Sequence, residues 1–261
     1  MSSLFLIISD FNMKYLLRFM FIVLLSTSSY SQAYSKAGSF DYYVLALSWQ
    51  SAFCEYKRGK PACRSQKKSD FSASNFVLHG LWPNKNGRNG HRYGYCNVSK
   101  SIKRKDKKRH WCKMPSLNLS NSVRTDLNKF MPGTMSCLQR HEWYKHGSCS
   151  GLSDNKYYEV SNRLVDFFSK TSFNKLVANN VGNYVRRSKL LKAFDEEFGK
   201  GSRAYLGLKC KRVRGKKLLT EIRIRLQKDL SQIDSFKDAL PTRKFKTMYG
   251  NCPSRFKIDA L

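Results

Sequence analysis

The sequence predicts an α+β domain with a central antiparallel β-sheet, flanked by helices and stabilised by disulfides. Segments with the two-residue alternation of strands are segregated from segments with helical spacing. The cysteines number eight, and an even count is typical of a disulfide framework. The chain has 261 residues without internal repeats or a linker, which suits one domain with a sizeable core.

Residues 1–33 are expected to be a cleaved signal peptide that precedes a single domain over residues 34–261. Lys14 and Arg18 form a basic start, an apolar run follows over Phe19–Leu25, and small residues lead to a cleavage position after Ala33. The apolar run is much shorter than the roughly 20 residues that cross a membrane. We therefore expect a secreted or periplasmic protein without a membrane span.

All the cysteines lie after this leader, where an oxidising compartment favours disulfides. They are Cys54, Cys63, Cys96, Cys112, Cys137, Cys149, Cys210 and Cys252. A zinc site is the alternative, but it is weaker because the chain contains no CxxC pair. We expect four disulfides and no metal.

The strands are predicted from alternation. Apolar and aromatic side chains alternate between Tyr43 and Trp49, which predicts a core strand within Phe40–Gln50. A second strand is expected over Ser74–Leu78, with His79 at its end, where the following glycine lets the backbone turn.

Helices and a hairpin fill the rest of the domain. Apolar residues at helical spacing predict helices over residues 118–130, 156–168, 172–178 and 188–198. Near the end, Tyr205–Cys210 and Ile222–Leu226 flank a turn at Arg214–Lys216. This arrangement predicts an antiparallel hairpin whose outer face is basic.

The formal net charge of +31 indicates a polyanionic partner. Two runs carry much of this charge: Lys100–Lys113 has eight basic residues and one acid, and Lys209–Lys228 has nine and one. Solvated faces or a surface for anionic envelope lipid are the alternatives, and charge alone does not decide between them.

Two segments carry the chemistry, FVLHGLWPN (Phe76–Asn84) and HEWYKHGSC (His141–Cys149), and they hold three of the five histidines. If the second segment is helical, its titratable residues share one face, within an arc of about 140°. These residues are His141, Glu142, Lys145 and His146. The opposite face carries Trp143 and Tyr144, which we interpret as packing residues.

A metalloprotease is the obvious rival, since His-Glu near a second His is similar to HExxH. The spacing excludes it. The two histidines of HExxH are four residues apart on one helix face, whereas His141 and His146 are five apart. Lys145 would also place a cation beside the metal.

Three histidines with a carboxylate and a lysine suit the cleavage of RNA by its own 2′-hydroxyl. That reaction needs a base for the hydroxyl, an acid for the departing 5′-oxygen and a cation near phosphorus. Two imidazoles can share the proton transfers near neutral pH, and Lys145 can stabilise the charge. From the residues alone, either histidine could be base or acid. DNA, which lacks the 2′-hydroxyl, should not be cleaved.

At these two segments, and at FDYYVLALSWQSAFC (Phe40–Cys54), the sequence resembles the ribonuclease T2 family, most of all its bacterial ribonuclease I group. The resemblance implies an α+β fold with a central antiparallel sheet. It also implies that His146 is the base, His79 the acid and His141 a phosphate-binding residue. Glu142 and Lys145 would support the transition state.

The resemblance implies two substrate-binding residues. Trp82 occupies the position where the family stacks a nucleobase, although a buried core role is the alternative. Many eukaryotic members carry Asp after the Trp-Pro pair, whereas this chain has Asn84. We therefore expect little base specificity.

The resemblance also implies the pairs Cys96–Cys149 and Cys210–Cys252. The other two pairs, Cys54–Cys63 and Cys112–Cys137, are guesses from proximity in the sequence, because eight cysteines allow about 105 connectivities.

The expected function is that of an exported, metal-independent endoribonuclease acting on single-stranded RNA. Transesterification would give 2′,3′-cyclic phosphates, and slow hydrolysis would turn these into 3′-phosphates. We expect no cofactor and a monomer. The alternative is a cationic, exported RNA- or polyanion-binding protein with secondary or no catalysis.

Overall fold

A computed structural model describes residues 36–87, 93–107, 110–243, 245–248 and 250–261. The predicted leader and its cleavage site lie outside these residues and stay a prediction. The helices and strands described are β1 (Tyr42–Ser48), α1 (Gln50–Lys57), α2 (Pro61–Arg64), β2 (Val77–Asn84), α3 (Lys100–Lys105), α4 (Asn121–Phe130), α5 (Leu138–Lys145), α6 (Asp154–Ser169), α7 (Ser172–Ala178), β3 (Tyr184–Arg186), α8 (Arg187–Phe198), β4 (Leu206–Val213), β5 (Lys216–Leu226) and β6 (Arg255–Lys257).

The strands form one sheet in the order β2-β1-β5-β6-β3, and β4 pairs with β5. The pairings are antiparallel except for a single parallel contact between β5 and β6. The predicted hairpin is β4–β5, and its turn residues Arg214 and Gly215 have φ angles of 48° and 80°. Such positive φ angles are typical of tight hairpin turns. The α+β class with an antiparallel sheet is confirmed.

The four predicted helices are α4, α6, α7 and α8. Helix α4 begins at Asn121 and not at Asn118, because the hydroxyl of Ser120 caps it by accepting a hydrogen bond from the Val123 amide at 3.3 Å. Helix α6 has the same kind of cap at Ser153. These caps satisfy backbone donors that the first turn of a helix leaves unpaired.

One face of the sheet forms the core. Leu45 and Leu47 of β1 alternate with residues on the other face, and Ile222 and Ile224 of β5 lie opposite them; all four are fully buried. Burying each such side chain stabilises the fold by about 1.5–3 kcal/mol. The hydroxyl of Tyr157 in α6 donates to the Leu81 carbonyl at 2.6 Å, which ties this helix to β2.

The prediction that His79 ends a strand is wrong, because β2 continues to Asn84. In the register, Ala46 lies opposite Gly80 and the next residue of β1 lies opposite Leu78, so His79 is the extra residue of a β-bulge. The bulge puts the flanking residue Leu78 in the core while His79 stays part-exposed. Pro83 is tolerated because β2 is an edge strand of the described sheet.

The four disulfides are Cys54–Cys63, Cys96–Cys149, Cys112–Cys137 and Cys210–Cys252, the same pairs as those expected. Cys96–Cys149 links the end of the α5 segment to the chain that follows β2. Over the described residues, no helix has the length and apolar character needed to cross a membrane.

Candidate active site

Helix α5 lies close against β2 because small residues face it. A Cβ atom at Gly80 would overlap the Oε2 atom of Glu142, so only glycine permits this approach. Ala46, the neighbour of Gly80 on β1, is also small. Glu142 is thereby held at 1% exposure. A buried carboxylate needs hydrogen-bond partners, and its partners build the site.

Glu142 brings three rings to one point. Its Oε2 accepts a hydrogen bond from the indole Nε1 of Trp82 at 2.7 Å. Its Oε1 lies 3.6 Å from the Nε2 of His79 and 3.8 Å from the Nε2 of His141. The segments FVLHGLWPN and HEWYKHGSC therefore meet at this carboxylate.

His79 is held from its other side by β5. Its Nδ1 donates to the Oε2 of Glu221 at 2.7 Å, and Arg223 donates to the Oε1 of the same carboxylate at 2.6 Å. Burial lowers the pKa of His79, but the hydrogen bond to Glu221 and the charges of Glu142 and Glu221 outweigh it. The net effect raises the pKa of His79 above its ordinary value, which favours the protonated ring.

His141 is held by a second carboxylate. Its Nδ1 donates to the Oδ1 of Asp106 at 2.6 Å, and the hydroxyl of Tyr95 donates to the Oδ2 at 2.8 Å. Burial raises the pKa of Asp106, but these two hydrogen bonds and the charges of His141 and Lys145 outweigh it and keep the pKa below its ordinary value. The ring of Trp111 stacks on His141 with centroids 4.8 Å apart. His141 is thus fixed with its Nε2 toward the site.

Helix α5 ends at Lys145, so His146, which was expected on the same helix face, lies one residue beyond the helix. Its amide still donates to the Glu142 carbonyl at 3.0 Å, as in a continuing helix, which keeps its ring on the same side. Burial lowers the pKa of His146 well below its ordinary value, and the positive charges of Lys145, His141 and His79 lower it further. These effects favour the neutral ring.

His79 and His146 both lie against the indole of Trp82, each with ring centroids 5.3 Å from it. The rings of His141 and His146 are 6.3 Å apart. The structure thus brings His79, His141, Glu142 and His146 together, and the half-buried Lys145 precedes His146. Of the aromatic residues expected to pack, Trp143 contacts the ring of Tyr157 with centroids 5.7 Å apart.

The two residues expected to bind substrate have local contacts. The guanidinium of Arg223 lies 5.0 Å from the centroid of the Trp82 ring, so the indole is partly covered by Arg223 and His146. Asn84 donates from its Nδ2 to the Trp82 carbonyl at 2.9 Å. Within the described ranges, no hydrogen bond joins Asn84 to the three histidines. Nucleobase binding by Trp82 and Asn84 stays a prediction.

A cavity of about 400 Å³ opens beside His79. Its walls include Phe53, Tyr56, Trp111 and Leu138, and its polar lining includes Glu221. Volumes of this size are typical of small-ligand sites. No group of three or more His, Cys, Asp or Glu side chains is arranged to hold a metal ion in the part of the chain that the structure describes. Independence from metal stays a prediction.

Sequence reasoning missed five residues that hold the histidines in place, namely Tyr95, Asp106, Trp111, Glu221 and Arg223. A signal for two of them was present. Asp106 is the single acid of the first basic run, and Glu221 is the single acid of the second. An isolated carboxylate among so many cations indicates a specific partner, which in each case is a site histidine.

Comparison with known proteins identifies the family. A model of the ribonuclease T2 family matches residues 40–238. Ribonuclease I of Escherichia coli (strain K12) is 30% identical over 239 residues, which cover 85% of this chain and 87% of that protein. A ribonuclease of Aeromonas hydrophila is 35% identical over 137 residues, which cover 52% of this chain and 50% of that protein.

Among solved structures, ribonuclease MC1 from the seeds of bitter gourd is similar with a TM-score of 0.56 and 17% identity. The match covers 84% of this chain and 100% of that chain, and it shows a shared fold. The family match spans most of the chain and includes both histidine segments. The chain therefore belongs to the ribonuclease T2 family, and it is an endoribonuclease of the T2 type.

Proposed function

We propose that this chain is an exported, metal-independent endoribonuclease that cleaves single-stranded RNA through a 2′,3′-cyclic phosphate. One observation carries the proposal. His79 and His146 lie against the same indole, and their surroundings move their pKa values in opposite directions. A neutral and a protonated imidazole at one site are what general base and general acid catalysis need.

In the proposed first step, the neutral His146 accepts the proton of the 2′-hydroxyl as its oxygen bonds to phosphorus. The bond between phosphorus and the 5′-oxygen breaks, and His79 donates its proton to that oxygen. The products are a 2′,3′-cyclic phosphate and a free 5′-hydroxyl. In the slower hydrolysis water replaces the 5′-hydroxyl, His79 acts as the base, and His146 returns its proton to the 2′-oxygen.

The charge that gathers on the phosphorane oxygens is stabilised by Lys145 and by His141. Asp106 binds the Nδ1 of His141 and so leaves the Nε2 of that ring facing the phosphate. Glu142 holds the Nε2 atoms of His79 and His141 on the same side of the site, both near its Oε1. Removing a single donor of this kind typically slows an enzyme about 10²–10³-fold.

The cavity beside His79 supports binding of the leaving nucleoside. His79 donates its proton to the 5′-oxygen of the leaving nucleoside. Because the cavity opens beside His79, it lies next to that nucleoside. Contact with aromatic walls such as Phe53 tolerates every base, because each base has a π-face. This arrangement supports little base specificity.

Export is supported by the leader pattern of residues 1–33 and by the four disulfides, which persist in oxidising compartments. A periplasmic or secreted location follows from the same argument.

Digestion of single-stranded RNA in the presence of EDTA tests the reaction. We expect undiminished activity and early products that end in a 2′,3′-cyclic phosphate, identified by phosphorus NMR. An equivalent chain with 2′-O-methyl groups should stay intact, because it lacks the attacking hydroxyl. Loss of activity on chelation, or cleavage of the methylated chain, would favour a metal-dependent nuclease.

The pH dependence of kcat/KM should reveal the effect of Glu221 on the pKa of His79. In the Glu221→Gln variant the charge that helps to raise the pKa of His79 is gone, so this pKa falls. His79 must be protonated to act as the acid, so activity is lost as the pH rises through its pKa. We therefore expect the alkaline limb of kcat/KM against pH to move to lower pH in the variant.

The acid limb of that profile is set by the pKa of His146, and it should stay at nearly the same pH in the variant. The exposed Glu196→Gln on α8 is the matched control and should leave both limbs unchanged. An alkaline limb at the same pH in Glu221→Gln and wild type would contradict the role assigned to Glu221.

A further inference from the structure

Lysines border the cavity beside His79. Three lysines line it: Lys57, Lys60 and Lys209. A fourth, Lys211, is not itself a lining residue, but its ammonium lies 3.9 Å from the ring centroid of the lining residue Tyr56. These four lysines are termed the basic rim. They come from the end of α1, from the turn before α2 and from β4. Three separate parts of the chain thus place positive charge at one opening.

Two lysines of the basic rim are positioned by aromatic rings. The ammonium of Lys60 lies 5.3 Å from the centroid of Trp111, and that of Lys211 lies over Tyr56. Within the described part of the chain, neither forms an ion pair with a carboxylate. A ring holds an ammonium by its quadrupole and leaves N–H donors for an anion.

The charged side chains that line the cavity are mostly cationic. Among the described residues that line the cavity, Glu221 is the one carboxylate, and it is already bound by His79 and Arg223. Burial and the positive charge of Arg223 lower the pKa of Lys209, which agrees with a crowding of cations. A bound anion would relieve this repulsion.

We propose that the basic rim is a subsite for the phosphate that follows the leaving nucleoside toward the 3′ end of the RNA. The inference rests on the proposed function, in which the cavity takes the base of the leaving nucleoside. The next phosphate of the strand then emerges at the opening, where Lys60 and Lys211 contact it. The enzyme therefore prefers substrates that extend beyond the scissile bond on the 3′ side.

Chimeric oligonucleotides with a single ribonucleotide test this subsite, because only one bond in each can be cleaved. The three substrates are rN-dN, rN-dN-dN, which adds a phosphate on the 3′ side, and dN-rN-dN, which adds one on the 5′ side. We expect kcat/KM for rN-dN-dN to exceed that for rN-dN roughly tenfold, the size of one charge-assisted hydrogen bond. This gain should shrink as salt is raised.

The double variant Lys60→Gln/Lys211→Gln should bring the ratio of the two kcat/KM values close to one. The matched control is Lys170→Gln/Lys192→Gln, which removes the same charge from two exposed positions, one in the turn before α7 and one in α8. This control should keep the full ratio. Thermal unfolding shows whether both double variants keep the fold. The single variant Lys211→Glu, which reverses the charge of an exposed side chain, should lower the ratio as well.

Three results would overturn the subsite. Equal kcat/KM values for rN-dN and rN-dN-dN would leave the nuclease proposal intact but remove the downstream phosphate contact. A gain for dN-rN-dN alone would place the cavity on the other side of the scissile bond. A gain that survives in Lys60→Gln/Lys211→Gln would assign it to other residues. No cleavage of any of the three substrates would overturn the proposed function, and the subsite with it.

Discussion

Replacing His146 by alanine is expected to slow RNA cleavage roughly 10²–10⁴-fold, the usual contribution of a positioned general base. His146 lies against Trp82 and beside His141, and its lowered pKa favours the neutral ring that a base needs. Within the described residues its ring forms no hydrogen bond, so a ring nitrogen is available for the 2′-hydroxyl. The rate should be measured under single-turnover conditions with wild-type protein alongside.

Binding of RNA should survive in His146→Ala, because the basic runs that attract phosphates are unchanged. Salt-dependent binding without cleavage would separate catalysis from the polyanion binding that the charge of +31 supports. The exposed His110→Ala is the matched control and should cleave RNA at the wild-type rate. Cleavage by His146→Ala at the wild-type rate would contradict the base assignment and favour a protein that binds polyanions.

Much of the fold follows from local patterns in the sequence. Alternation in Tyr43–Trp49 and in Ile222–Leu226 predicts strands that pair with each other in the structure, with Tyr43 opposite Leu226. Such patterns are informative because one face of each strand is buried. The strands β3 and β6 were not predicted, since each has three residues, too few to show a period.

The bulge at His79 shows where local reasoning fails. The glycine after His79 predicts a turn at the end of a strand. In the structure Gly80 continues the strand and serves the close approach of Glu142, whose position depends on α5. The contact joins residues far apart in the sequence, so neighbouring residues alone do not reveal it.

The proposed catalytic set shows the opposite case, in which residue types and spacing predict which side chains share a site. His79, His141 and His146 were identified from residue types and spacing, and the structure brings them around Glu142 and Trp82. Their partners Asp106 and Glu221 each lie in a run dominated by basic residues, whose pattern indicates anion binding and not a role for the lone acid. The lone acid in a basic run is therefore a useful signal for a residue that binds and orients a histidine.

Trp82 illustrates a role that neither sequence pattern nor family resemblance supplies. Its indole donates to Glu142, contacts His79 and His146, and lies near the Arg223 guanidinium. These contacts support a positioning role between the proposed acid and base. Its partners come from β5 and the α5 segment as well as from β2, and their convergence is a property of the folded chain.

The second large effect is expected in His79→Ala, and it depends on the leaving group. Cleavage of RNA should fall roughly 10²–10⁴-fold, because the 5′-oxygen leaves poorly without a proton. An aryl ester such as uridine 3′-(4-nitrophenyl phosphate) releases a nitrophenolate, which needs no proton. On this ester the loss in His79→Ala should be less than about tenfold, because the ester does not need the acid that the variant lacks.

The central claim is that His146 and His79 act at opposite ends of one phosphodiester, and the ratio of RNA to aryl ester cleavage in both variants tests it most directly. His79→Ala should lose activity on RNA and keep most of it on the aryl ester, whereas His146→Ala should lose activity on both. Equal losses on the two substrates in both variants, or rescue of His146→Ala by the aryl ester, would contradict the account.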